Sequence, residues 1–116
     1  MRFMMLMIPL GYETAPPDVQ LDPERVKAMM KYNEALKEAG VLITLDGLHP
    51  PSMGARVSFA TGKPVVTDGP FTEAKEVLGG YYTIEASDYD DAVKRTLDHP
   101  HLEYGGTIEV RKLHEM

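Results

Sequence analysis

The sequence predicts an α+β fold in which two helices cover one face of an antiparallel sheet. Three observations predict it. Apolar periodicity along the 116 residues runs strand, helix, strand, hairpin, strand, helix, strand, which is a βαββαβ order with one added hairpin. The first strand is apolar on both faces, so it lies mid-sheet with cover on each side. Each helix is bounded by a capping residue at its start and by Gly or His-Pro at its end.

Residues 2–9 form the first strand, with Phe3, Met5 and Met7 on one face and Met4, Leu6 and Ile8 on the other. Residues 10–21, with Gly11, Pro16 and Pro17, make a surface loop. Asp22 then caps a helix, Pro23 suits its first position, and Glu24 lies near the positive end of the helix dipole. Its apolar stripe is Val26, Met29, Met30, Leu36 and Ala39, and Gly40 ends it. Asn33 falls within that stripe, where an amide needs hydrogen-bond partners. It either ties down neighbouring groups or faces the edge of a cleft.

The second strand runs from Val41 to Leu48, with Val41, Ile43 and Leu45 on one face and Leu42, Thr44, Asp46 and Leu48 on the other. His49-Pro50-Pro51 stops it. Ala55–Ala60 and Lys63–Thr67 form a hairpin about Thr61-Gly62. Tyr81–Ala86 is the next strand. Ser87 caps a helix over roughly 88–98 whose apolar side is Tyr89, Ala92, Val93, Thr96 and Leu97, and His99-Pro100 ends it. Thr107–Leu113 closes the sheet.

Between the hairpin and the Tyr81 strand lies the least generic stretch, Val66-Thr67-Asp68-Gly69-Pro70-Phe71-Thr72-Glu73-Ala74-Lys75-Glu76. Gly69 is free to take positive φ, Pro70 fixes its own φ, and Asp68 can cap the turn through its carboxylate. A carboxylate is thereby held beside a tightly determined backbone.

Composition narrows the function. Hydrophobic residues make up 43% and charged residues 26%, the proportions of an ordinary soluble domain. A net charge of −6 without clustered Lys or Arg argues against a nucleic-acid partner. The absence of cysteine excludes a thiolate nucleophile and suits a cytoplasmic location. The apolar run at the start is too short for a secretory signal, and no segment approaches a membrane span. No phosphate-cradling glycine loop or dinucleotide fingerprint is present, so no cofactor is implied.

The strings TDGPFTEAKEVLGGYYTIEA, AMMKYNEALKEAGVLITLDGLHP and GGTIEVRKL together resemble the YCII-related, or DGPF-domain, family over nearly the whole chain. The resemblance implies one domain over residues 1–116 with a ferredoxin-like fold, dimerising in the manner of the dimeric α/β barrels. Related YCII-type proteins carry a histidine in the first helix, paired with an acid. Met29 stands at or near that place here, and the helix has no histidine. This departure sets an inherited acid–base mechanism in question.

Strand parity assembles a candidate site. Thr107, Glu109 and Arg111, Tyr81, Thr83 and Glu85, and Thr44 and Asp46 fall on the helix-free face. We assign Phe3, Met5 and Met7 to that face as well, and a second copy of the chain is its simplest cover. An apolar surface with a few convergent polar groups is the usual make-up of a small-molecule pocket, and ion pairs across a dimer are the other reading. Glu109 and Arg111 share a face. Arg111 is either held by Glu109 or free to anchor an anionic or carbonyl-bearing ligand. Tyr81 and Asn33 are further ligand-binding candidates. Asp68 is the candidate acid or base, and His49, at the mouth of the second strand, is the one histidine placed to act as a general base. His99-Pro100-His101 lies in an expected exposed loop without a spaced carboxylate, so no metal site is expected.

Two functions follow from this. One is a dimeric protein that binds a small organic molecule and performs acid–base chemistry on it. The other is a non-catalytic binding or regulatory module, which the family's frequent encoding near alternative sigma factors brings into view.

Overall fold

The computed structural model describes residues 1–71, 74 and 76–115. In chain order these form β1 (Arg2–Ile8), α1 (Pro23–Glu38), β2 (Leu42–Gly47), β3 (Ala55–Ala60), β4 (Lys63–Asp68), β5 (Gly80–Glu85), α2 (Tyr89–Thr96) and β6 (Thr107–Lys112), with 3₁₀ turns at Tyr12–Thr14, Pro51–Met53 and Pro100–Tyr104. The main sheet has the order β2-β5-β1-β6 with every neighbour antiparallel, which is the ferredoxin-like arrangement. The β3–β4 hairpin is a separate two-stranded sheet. Thr61 and Gly62 at its tip have φ of 51° and 82°, as a two-residue turn matching strand twist requires.

The helix signals act as expected at α1. The Asp22 carboxylate accepts the Glu24 N–H at 3.0 Å. At the other end Gly40, at φ 74°, donates to Lys37 O and Val41 donates to Leu36 O, the paired bonds that close a helix on a left-handed residue. The cap of α2 differs from expectation. Asp88, not Ser87, is the cap and accepts from Asp91 N–H at 2.8 Å, while the Asp91 carboxylate reaches back to Ser87 N–H at 3.0 Å. That backbone donor holds the Asp91 carboxyl below its ordinary value.

The core lies between the helices and one sheet face. Phe3, Met5 and Met7 pack there with Tyr32 and Leu36 of α1, Ala92 of α2, and Tyr82, Ile84 and Ala86. Each large apolar side chain so buried contributes about 1.5–3 kcal/mol. This reverses the expected assignment of β1. Met5 stands opposite Tyr82 and Val110, both turned toward the helices, so Met4, Leu6 and Ile8 occupy the helix-free face instead. Two expected apolar positions of α2, Tyr89 and Leu97, are exposed, and so is Met30 of α1.

β2 departs from simple alternation. Leu42 pairs with Ile84 but Thr44 pairs with Thr83, so one residue, Ile43, is bulged out. Leu42 and Leu45 both face the core as a result, and Thr44 and Asp46 face away.

The molecule is more spread than its length requires. Its Cα radius of gyration is 15.9 Å, against about 13 Å for a compact chain of this size. Its accessible surface is 8147 Å², against roughly 6,300 Å² for a monomer of its mass. The hairpin accounts for much of the excess, since every residue of β3 is exposed.

Candidate functional site

The register of the four-stranded sheet lays two rows of side chains across its helix-free face. One row runs Asp46, Tyr81, Leu6, Glu109 from β2 to β6. The next runs Thr44, Thr83, Met4, Arg111. Each row has an apolar residue of β1 at its centre and polar residues toward its edges. At one edge the Tyr81 hydroxyl donates to Asp46 Oδ2 at 2.7 Å, and the accepting carboxylate keeps that hydroxyl above its ordinary value. At the other, Arg111 donates to Glu109 Oε2 at 3.0 Å, with both side chains largely in solvent. Of the two roles open to Arg111, the structure shows the paired one in the single chain. Exposed pairs of this kind contribute about 0–1 kcal/mol, so Glu109 holds Arg111 only weakly.

Asn33 lies on the opposite side of the sheet. Its amide oxygen accepts a short hydrogen bond from the Tyr82 hydroxyl, so it holds a side chain in the core rather than the helix-free face. The same hydroxyl is 3.0 Å from His99 Nε2. His99 is 2% exposed, which corrects the expectation of an exposed loop. Its Nδ1 accepts the His101 N–H at 3.0 Å, so the ring proton sits on Nε2 and is donated to Tyr82, which donates onward to Asn33. Burial, reinforced by nearby His101 and opposed by Asp98, pulls the His99 value down to about 4. Burial likewise pushes Tyr82 up to about 12 and raises Tyr32, whose hydroxyl donates to the Arg95 carbonyl. The Tyr32 and His99 rings lie 4.3 Å apart between centres, tilted at 57°. This array welds α1, β5 and the turn after α2 into one unit.

The Asp68 turn is built differently from expectation. Gly69 is not among the glycines at positive φ. A side chain is excluded there because a Cβ would lie 1.8 Å from the Pro51 carbonyl oxygen, while the Gly69 N–H donates to Gly54 O at 2.9 Å. The need for glycine is close backbone approach. Asp68 stands exposed at the end of β4, opposite Ala55, and no hydrogen bond among the described residues involves its carboxylate. His49 is exposed on the loop that leads into the Pro51–Met53 turn, against which Gly69 closes. Beyond the turn, Arg56 lies over the Phe71 ring at 4.2 Å, and with Ser58, Thr67 and Pro70 they line an open cleft of about 480 Å³. Thr72, Glu73 and Lys75 lie outside the described residues. Among the described residues no group of three or more His, Asp or Glu side chains is placed to hold a metal ion, and no helix is long and apolar enough to cross a membrane.

The profile of the YCII-related domain matches residues 1–116. The chain belongs to the YCII-related family. An uncharacterized protein of Rhizobium meliloti (strain 1021) is 36% identical to it over 77 residues, which are 66% of this chain and 62% of that relative. This chain thus spans less than two thirds of that relative's length. Among solved structures, the 5-chloro-2-hydroxyhydroquinone dehydrochlorinase from Burkholderia phenoliruptrix AC1100, in complex with 2,5-dihydroxybenzoquinone, superposes with a TM-score of 0.54 at 17% identity. The match covers 100% of this chain and 96% of that one and establishes a shared fold.

In this YCII-related protein the structure brings Tyr81, Glu109 and Arg111 onto one face, with Asp46 as a fourth polar member. It places Asn33 behind that face, Asp68 at the end of β4 in the separate hairpin, and His49 on the loop after β2. Sequence reading missed the Tyr32–Tyr82–His99 array. Its one available signal was Tyr32 at helical spacing from Met29 and Leu36.

Proposed function

We propose that this YCII-related protein is a homodimer that binds a small organic molecule on the helix-free face of its sheet, under a second copy. One observation carries the reading: Met4 and Leu6 form an apolar floor edged by the Tyr81–Asp46 and Arg111–Glu109 pairs. Apolar floors with a few fixed polar groups suit planar or carbonyl-bearing ligands. The shared fold with a dehydrochlorinase bound to a quinone supports a ligand of that class. Arg111 is the anchor for a carbonyl or carboxylate oxygen once a ligand displaces Glu109. Tyr81 orients the other end, and Asp68 and His49 are the candidate acid and base.

The test is titration calorimetry with hydroxybenzoquinones and small carboxylates on the parent, Arg111→Met and Asp68→Asn. Arg111→Met is expected to weaken binding at least tenfold with an unchanged melting temperature. Asp68→Asn is expected to retain binding but lose any turnover. Equal binding by the parent and Arg111→Met would refute the site.

A second reading, a binding module without chemistry, is favoured by one observation. Asp46, Asp68, Glu85 and Glu109 are all exposed in the single chain, so none lies in a closed cavity of its own. Binding by the parent with no chemical change in any ligand would decide for it.

A further inference from the structure

The hairpin presents a second surface that the sequence leaves without a partner. Its register puts Val57 opposite Val66 and Phe59 opposite Pro64 on one face, and Arg56 opposite Thr67 and Ser58 opposite Val65 on the other. This is the alternation of a half-buried ribbon. Yet Val57, Phe59 and Val66 are 68%, 74% and 64% exposed. An isolated two-stranded hairpin is marginal in water, so a ribbon patterned in this way needs a cover on its apolar side.

Among the described residues none provides it: β3 and β4 form a sheet apart from the other four strands, and Val57, Phe59 and Val66 stay exposed. We propose that the hairpin is an arm exchanged between two copies. Each copy lays Val57, Phe59 and Val66 over Met4, Leu6 and Ile8 of the other, so that the partner's Phe59 becomes a wall of the small-molecule pocket. The inference rests on the dimer reading above and names what completes the site.

Three quantities support a second copy as the occupant. Six-residue strands reach about 20 Å, and a four-stranded sheet is roughly 15–20 Å across, so one arm spans the face. The exposed apolar surface of the arm is roughly 300 Å², in the range of the largest patch on a typical monomer, which is often a functional surface. The chain's 8147 Å² exceeds the surface of a compact monomer by roughly 1,800 Å². That excess is within the area a subunit of an obligate dimer buries, on the order of 1,000–2,500 Å² per partner. Twofold symmetry uses both surfaces twice and leaves neither open, so the assembly closes at two.

The experiment mixes unlabelled and ¹⁵N-labelled chains carrying benzoylphenylalanine at position 59, irradiates them, and maps cross-linked peptides by mass. Sedimentation velocity on the parent and Phe59→Asp accompanies it. Expected are a dimeric parent, mixed-isotope cross-links from position 59 to peptides containing residues 2–8 or 107–112, and a dimer dissociation constant raised at least tenfold by Phe59→Asp. Because Phe59 is exposed in the single chain, Phe59→Asp is expected to keep the parent's far-UV spectrum. Should it fail to fold, the cross-link map decides, since benzoylphenylalanine keeps an aromatic side chain. A dimer whose cross-links run within one chain, between two hairpins or to a foreign protein overturns the arm and leaves the dimer standing. A monomeric parent overturns both.

Discussion

Acidification provides a perturbation whose sign and size follow from one buried ring. His99 accepts a backbone N–H at Nδ1 and donates from Nε2 to Tyr82, so a second ring proton would face a donor at 3.0 Å at a buried position. Its folded value of about 4 lies below the ordinary 6.5. The unfolded chain therefore takes up the proton first, and stability is fully present above pH 6.5 and lost as the pH falls toward 4. One proton makes the slope at most about 1.4 kcal/mol per pH unit, and the full loss is about 3 kcal/mol. That is a large share of the 5–15 kcal/mol typical of a domain.

Urea unfolding followed by far-UV circular dichroism, at half-unit steps from pH 7.5 to 4 and constant protein concentration, measures it. His99→Gln keeps an acceptor and a donor but no titration, so its profile is expected to be the flatter by about 3 kcal/mol over that range. Asp91 and Glu115, both held low by backbone N–H donors, begin to lose their contacts only below their ordinary 3.8 and 4.5 and are common to both proteins. Parallel profiles for the parent and His99→Gln would refute the buried neutral ring.

Two further outcomes follow from packing. Gly69→Ala forces a methyl into the Pro51 carbonyl, and since both partners are backbone the loop must move; a loss of about 1–3 kcal/mol in the urea midpoint is expected, with no such loss for Gly47→Ala, where a Cβ meets open space. Met5→Asp places an unpaired carboxylate at a fully buried core position and is expected to leave the chain unfolded by circular dichroism, whereas Leu6→Asp, on the helix-free face, is expected to fold and to sediment as a monomer.

Much of the fold was legible because local chemistry and periodicity agreed. Asp22-Pro23 and Gly40 bound α1 as their types require, and Thr61-Gly62 turns the hairpin. Parity placed Tyr81, Thr83, Glu109 and Arg111 on the helix-free face because each alternates with an apolar neighbour. It could not orient β1, where Phe3, Met5, Met7 and Met4, Leu6, Ile8 are equally apolar. That choice depends on pairing with Tyr82 and Val110, seventy or more residues away. The bulge at Ile43 was hidden for a related reason, since Val41 to Ile43 are all β-formers and only the partner strand reveals the extra residue. Gly69 carried the right identity for a different cause, because nothing local shows that Pro51 comes to lie against it. His99 was misplaced because His-Pro reads as a surface break, and its burial depends on Tyr32 and Tyr82 from distant elements.

In the proposed assembly the Met4–Leu6 face is covered by a second copy and receives the ligand. Spectra of protein carrying ¹³C-methyl methionine test it most directly, with Met4, Met5 and Met7 assigned by single Leu substitutions. The Met4 resonance is expected to shift on dilution from millimolar to low-micromolar chain and again on adding a hydroxybenzoquinone, while core Met5 and Met7 hold their positions. A Met4 resonance indifferent to both, or ligand shifts confined to methionines away from the helix-free face such as Met30 and Met53, would contradict it.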